Sequence, residues 1–473
     1  MNGGDGAFAP ERRLLTIGLI GLVTAAAFEG MAVPTVLPAM VGDLGGLDLY
    51  GWAFSAFWLT NIIGITLAGS DADRRGPGRA LAGGVILFGA GLALSGVANE
   101  MSMVIAGRAI QGFGSGAIGS VVYAAIARAY PASLTPRMIA LVSSAWVVPG
   151  LVGPALAGWV TDTLDWRWVF LGIVPPVLLM GIAVYPQLAR LGPAQRAAVP
   201  LRGDGRRALD AMRLALGSTL LLGALTVGLP LAPVLAVAGA WLAIGALRHL
   251  LPTGTLLLRR GRPAVVGVVF VIAFAFFGTE AFVPLTVVDV RGGSVTLGGL
   301  ALSAAAVTWT IGSWVQARAA AAGIRRALVT SGAGLITIGI GITALVLIPQ
   351  MPVLVVAIGW AVAGLGMGLA YSMLALMVLE TAARGEEGYS SSALQLMFTL
   401  GTAFGAGVGG AIVAVADAGT IPLVSAIGLI DGLMVAMAIV AAAVSLRVPR
   451  RPSDRPGVVL APHGAPAMPM EHP

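Results

Sequence analysis

The chain has 473 residues, of which 58% are hydrophobic and only 10% charged, with a formal net charge of +7. Soluble domains carry about 25% charged residues, so this composition excludes a water-soluble globular protein and predicts many membrane spans. The positive charge does not imply nucleic acid, because the arginines lie in short loops rather than on one face, and the lack of Cys excludes disulfides and thiolate chemistry.

In chain order, apolar spans are predicted at 14–40, 51–69, 81–98, 103–127, 138–161 and 166–188. An Arg-rich segment follows, then spans at 209–229 and 231–250. After a further basic stretch come 263–288, 296–317, 325–348, 353–379, 392–416 and 421–446. Each is close to the roughly 20 residues that cross a bilayer, so the expectation is six, two and six spans, 14 in all. The N-terminal Arg12-Arg13, apolar run and Ala25-Ala26-Ala27 mimic a cleaved leader, but the run continues to Met40 and more spans follow, so a retained first span is expected.

All 28 arginine and lysine residues are Arg. With the N-terminus inside, 25 fall in inner loops and tails and only Arg167 and Arg291 in outer loops; Arg108 lies within a span. The positive-inside rule then puts both termini in the cytoplasm of a multi-pass protein of the cell membrane.

The two ends of the chain repeat. Val33-Pro34 matches Val283-Pro284, Gly45-Gly46 matches Gly292-Gly293, Arg79-Ala80-Leu81 matches Arg326-Ala327-Leu328, and Gly112, Gly114 and Gly116 match Gly364, Gly366 and Gly368, at offsets of 247 to 252. Eight spans separate the copies, so both enter the membrane in the same direction. Parallel repeats of this kind are a transporter architecture, with the solute site between the halves. The expected domains are an N-terminal segment 1–13, a six-helix bundle 14–188, a basic linker with two additional helices 189–262, a second bundle 263–448 and a disordered tail 449–473 rich in Pro and polar residues.

Four ionisable residues fall well inside spans: Glu29, Arg108, Glu280 and Asp431. A charge at that depth costs about 2.5–3.5 kcal/mol or more, so it faces a cavity or a partner and marks an ion or solute path. Burial favours the protonated form of a carboxylate, which lets proton uptake be coupled to opening. The competing reading is a carboxylate neutralised by a structural partner, with Arg108 the available cation. Phe28, Met31, Asn61, Gln111, Tyr123, Trp146, Phe277, Trp309 and Gln395 are candidates for lining a solute cavity, where Met and aromatic side chains adapt to varied ligands; helix packing is the alternative for each.

Other chemistries find no residues. Without Lys there is no phosphate-binding P-loop. Gly114-Ser115-Gly116-Ala117-Ile118-Gly119 matches G-x-G-x-x-G but sits inside a span with no preceding strand, where small residues serve close helix packing. His249, His463 and His472 have no metal-ligand neighbours. Neither enzyme, metal nor organic cofactor is expected, and a proton gradient is the expected energy source.

These residues resemble the major facilitator superfamily, in its 14-helix drug:proton antiporter branch, over most of 14–448. Gly69-Ser70-Asp71-Ala72-Asp73-Arg74-Arg75-Gly76-Pro77-Gly78-Arg79 is similar to the family's gating loop between helices 2 and 3. Gly69, Asp73, Arg74 and Gly76 match, while Pro77 and Gly78 replace the basic pair and Arg79 comes one place late. Ile105-Ala106-Gly107-Arg108-Ala109-Ile110-Gln111-Gly112 resembles the helix 4 motif, whose Arg is linked to proton transfer. Pro149-Gly150-Leu151-Val152-Gly153-Pro154-Ala155-Leu156-Ala157-Gly158 resembles the antiporter motif of helix 5, and Asp165-Trp166-Arg167-Trp168-Val169-Phe170 the start of helix 6. The resemblance implies an all-α polytopic membrane protein of two six-helix bundles plus two central helices. It implies alternating access, proton-coupled efflux of small lipophilic or cationic compounds, and roles for Glu29 and Arg108 in coupling, to which the buried charge of Glu280 and Asp431 adds two assisting candidates. The alternatives are an exporter of a native lipid or metabolite, or a non-transporting sensor. The expected partners are the solute, protons and the bilayer, with no nucleic acid, and the chain is expected to act as a monomer.

Overall fold

The computed structural model describes residues 6–131, 133–192, 204–320, 323–380 and 387–449. Among them there is no strand, and 14 long helical stretches succeed one another. The first six are α1 (Pro10–Leu44), α2 (Tyr50–Arg75), α3 (Pro77–Gly96), α4 (Met101–Ala129), α5 (Thr135–Ser144, then Val147–Thr163) and α6 (Arg167–Leu171, then Val174–Ala189). The inserted pair is α7 (Asp204–Gly223) and α8 (Leu231–Leu250). The last six are α9 (Arg262–Glu280, continuing to Val290), α10 (Val295–Ala319), α11 (Arg325–Ala344), α12 (Val355–Glu380), α13 (Glu387–Asp417) and α14 (Leu423–Ser445). Thirteen are long and apolar enough to cross a membrane. The exception, α7, carries Arg206, Arg207, Asp210 and Arg213 in its first half.

The repeat is visible in which helices touch. In the first bundle α2 packs on α4, α4 on α3, α1 on α5, and α6 on both α1 and α3; in the second α10 packs on α12, α12 on α11, α9 on α13, and α14 on both α9 and α11. The junction repeats too, since α5 lies on α10 as α13 lies on α2. Matched glycines make these approaches possible. A Cβ on Gly112 would strike Phe57 O and Thr60 Oγ1, and one on Gly364 would strike Ala305 O and Thr308 Oγ1. Without a hydrophobic force between helices in lipid, such close contact is what holds a bundle together.

The two loop faces differ in charge, and the bundles meet toward the Arg-poor one. There the Asp162 carboxylate, at the end of α5, accepts from Val295 N (3.2 Å), Thr296 N (2.8 Å) and Thr296 Oγ1 (2.6 Å), so it caps the unpaired amides that begin α10. Gly158 admits the Thr296 backbone beside this contact. On the opposite seam Ser55 Oγ donates to Ala403 O (2.9 Å), and Gly51 lies against Gly410. Both arginines of this face are engaged. Arg167 pairs with Asp43 at 2.8 Å, and Arg291 donates to four carbonyls of the α11–α12 connection: Val346, Ile348, Pro349 and Met351.

Four predicted spans need correction. The span expected at 209–229 is a helix over Asp204–Gly223. Helical hydrogen bonding does not require apolar side chains, so it starts among the arginines, and Pro230 prevents its extension across Gly228-Leu229. The spans at 138–161 and 166–188 are interrupted at Ala145-Trp146 and Gly172-Ile173. The span at 263–288 stops being α-helical at Glu280, turns at Ala281-Phe282, and resumes as Val283–Leu285 and a π turn over Thr286–Val290. Pro284 supplies no N–H for the Glu280 carbonyl four residues earlier and its ring crowds it. Residues 193–203, Arg384 and the tail 450–473, expected to be disordered, lie outside the described residues.

Candidate functional site

Glu29 and Arg108, 79 residues apart in sequence, form a buried ion pair between α1 and α4, with side chains 1% and 2% exposed. Arg108 is held from several sides. Its Nε donates to Ala53 O (2.9 Å), Nη1 donates to Gln111 Oε1 (2.6 Å) as well as to the Glu29 carboxylate, and its guanidinium carbon lies 4.3 Å from the centre of the Phe57 ring. Gln111 Nε2 donates in turn to Ser95 Oγ (2.9 Å). Three helices besides α1 thus fix one cation, and Glu29 Oε2 is left without a hydrogen bond among the described residues. A buried ion is tolerated when its charge is matched, and the Glu29 carboxylate matches this one.

Glu280 lies on the equivalent helix of the second bundle, one position past Thr279, which matches Glu29 at the Val-Pro offset of 250, and nothing comparable surrounds it. It has no hydrogen bond or ion pair among the described residues, and neither has Asp431 on α14, which is buried. The position that matches Arg108 is Trp360, fully buried, whose ring stacks on Phe276 at 4.7 Å. Phe276 and Phe277 lie one turn before Glu280 on the same side of α9. With Trp309, Tyr371 and Phe398 they make a continuous aromatic group: Phe277–Phe398 at 5.1 Å, Tyr371–Phe398 at 4.9 Å and Phe276–Trp309 at 5.6 Å. The break in α9 faces the first bundle. Tyr50 Oη donates to Ala281 O (3.0 Å) and its ring stacks on Phe282 at 5.4 Å.

The other predicted site residues divide. In the gating loop Asp73 pairs with Arg128 at the end of α4 (2.7 Å) and Gly76 takes a φ of 96°, which only Gly adopts readily. Arg74 and Arg79 are exposed and have no ion pair among the described residues, and Gly69 meets only Ser120. The helix 5 motif is a packing surface. Gly153 makes room for the Phe28 ring and Gly150 for the Met31 thioether, while Pro149, Pro154 and Gly158 are buried and Gly299 of α10 lies on Pro154 O. Phe277 and Trp309 are brought together, whereas Tyr123 (52% exposed), Trp146 (45% exposed) and Gln395 stand on open surfaces of α4, α5 and α13.

Two cavity candidates are corrected. Asn61 donates from Nδ2 to Gly112 O (3.3 Å) and Gln111 is committed to Arg108 and Ser95, so both tie helices together instead of facing a solute. Sequence reasoning overlooked Trp360 and Phe398. For Trp360 the signal was available in the repeat, because it stands 252 positions after Arg108, the same offset that relates Gly112 to Gly364.

The profile of the Major Facilitator Superfamily matches residues 18–384. An uncharacterised MFS-type transporter of Mycobacterium tuberculosis is 30% identical over 429 residues, 86% of this chain and 61% of that protein, so the chain spans less than two thirds of that relative. The multidrug transporter protein MdtP of Bacillus subtilis is 27% identical over 85% of this chain and 75% of its own length, and a probable multidrug-efflux transporter of M. tuberculosis is 26% identical over 90% and 92%. Among solved structures, an auto-inhibited POT family peptide transporter superposes with a TM-score of 0.66 at 16% identity, over 94% of this chain and 99% of that one. A D-xylose–proton symporter gives 0.63 at 16%, over 92% and 98%. At such identity the likeness is one of fold.

Proposed function

The chain belongs to the Major Facilitator Superfamily, and from that premise we propose that it is a proton-coupled exporter of small lipophilic or cationic compounds, working by alternating access in the cell membrane with its Arg-rich face in the cytoplasm. The observation that carries this reading is the contrast between two carboxylates on equivalent helices: Glu29 is paired with Arg108, and Glu280 is unpaired beside an aromatic group. A carboxylate with no partner deep in a membrane span is costly, so Glu280 is the group at which a proton or a solute cation would supply the missing positive charge. A lipophilic cation against Phe277 and Trp309 supplies that charge, and aromatic faces attract cations in their own right. Solute and proton then exclude each other at Glu280, which is the requirement for exchange, while the Glu29–Arg108 pair changes partners as the bundles rock. The multidrug relatives and the match to the helix 5 motif agree with the direction of transport.

The test is transport by purified protein in liposomes with an imposed pH gradient, following a fluorescent lipophilic cation. Gradient-driven movement by wild type, with Glu280→Gln and Glu29→Gln both uncoupled from the gradient, is the expected result. Uphill transport by Glu280→Gln on the same gradient would remove Glu280 from the coupling path. No movement by folded wild type would redirect the solute class toward a native lipid or metabolite.

A further inference from the structure

The inserted helices carry a site that the transport cycle does not use. At the Arg-rich end of the α7/α8 pair, Arg206, Arg207, Asp210, His249 and Leu250 line a cavity of about 230 Å³. Its floor is Asp210, 1% exposed, whose two carboxylate oxygens lie 3.4 Å from Arg213 Nη1 and 3.4 Å from His249 Nδ1. Arg206 Nη2 lies 2.9 Å from His249 Nε2, so the imidazole stands between the buried acid and the Arg206 guanidinium and holds it at the rim. Arg207 lines the same rim, with no ion pair among the described residues. The Asp210 carboxylate is engaged inside the cluster by Arg213 and the His249 ring, which leaves Arg206 and Arg207 facing the opening.

Below the rim the same two helices are greasy and open. Leu209, Met212 and Leu216 on α7, and Ile244 and Trp241 on α8, are exposed, Trp241 at 76%. A soluble anion has use for the arginines but not for this apolar track. A phospholipid uses both, with its phosphate between two guanidiniums and its chains along the helices. Basic pockets between membrane helices recognise anionic headgroups in this way, and paired N–H donors of Arg suit phosphate oxygens.

We propose that the cavity at the Arg-rich end of α7 and α8 binds the phosphate headgroup of an anionic phospholipid through Arg206 and Arg207. The proposal is independent of what the carrier transports. Its test is native mass spectrometry of the purified full chain with phosphatidylglycerol, with phosphatidylcholine of the same chains, or with inorganic phosphate in millimolar excess. Wild type is expected to retain one more phosphatidylglycerol than the Arg206→Ala/Arg207→Ala variant, whose affinity falls about tenfold or more. Arg206→Lys/Arg207→Lys is expected to keep part of the binding, and Arg12→Ala/Arg13→Ala all of it. Equal retention by wild type and the Ala variant overturns the site. Equal retention of phosphatidylcholine overturns its preference for net negative charge, and displacement by inorganic phosphate overturns the assignment to a lipid.

Discussion

The two bundles are built alike and charged differently. Helix order, neighbours and glycine contacts repeat almost position for position, down to Gly107 against Ser95 Oγ and Gly359 against Thr343 Oγ1. Yet where the first bundle places Arg108 and pairs it with Glu29, the second places Trp360 and leaves Glu280 alone. The backbone differs at the same level: α1 runs unbroken through Pro34 and Pro38, while α9 gives way before Pro284. Close packing therefore constrains small residues in both copies, whereas the polar interior is free to diverge, and the divergence separates a rigid charged pair from an unpaired group at a helix end.

The sharpest way to break this contrast is to remove Arg108. Arg108→Ala leaves Glu29 buried without a cation and is expected to cost about 3–5 kcal/mol, read as a lower thermal midpoint in detergent, with Glu29→Gln/Arg108→Gln recovering part of it. Trp360→Phe should cost less than Arg108→Ala in the same assay; an equal loss would mean that packing and not charge dominates the first bundle. The packing symmetry has its own test. Gly112→Ala and Gly364→Ala each drive a Cβ into a carbonyl and a Thr hydroxyl, so each should destabilise by about 1–3 kcal/mol, and by similar amounts.

The smallest effect concerns the Arg-rich ends. Asp73 pairs with Arg128 in the first bundle, and at the same offset Arg325 pairs with Glu380 (2.7 Å) in the second, with the signs exchanged. Partly exposed pairs contribute about 0–1 kcal/mol, so Arg128→Glu alone should lower stability slightly. Asp73→Arg/Arg128→Glu should restore it together with the transport rate, because the second bundle already uses that polarity. Failure of the double exchange would show that the sign at Asp73 matters beyond its partner.

Much of this was legible in the sequence. Apolar run length gave the spans, shared Gly and Val-Pro positions gave the repeat, and a lone Glu in an apolar run marked Glu29 as a site worth examining. What a sequence encodes less openly is rotation about a helix axis and the identity of the neighbour. Arg108 had three acids within spans to choose from, and only the packing of α1 on α4 selects Glu29. Asn61 and Gln111 have the chemistry of solute contacts, but the helix faces they occupy turn toward α4 and α3. The start of α7 was hidden because its first turns are charged, although a helix at the lipid–water boundary tolerates that.

The place of α7 has one more consequence. It packs on α2 and on α13, with Leu222 beside Gly407 and near Trp52, so it roofs one of the two seams between the bundles. The other seam is bare among the described residues: Val148, Val152 and Trp159 on α5 and Leu300, Ile311 and Trp314 on α10 are all exposed. The carrier is thus one-sided within the plane of the bilayer. A molecule dissolved in the lipid meets both bundles together along α5 and α10, on the flank away from the inserted pair.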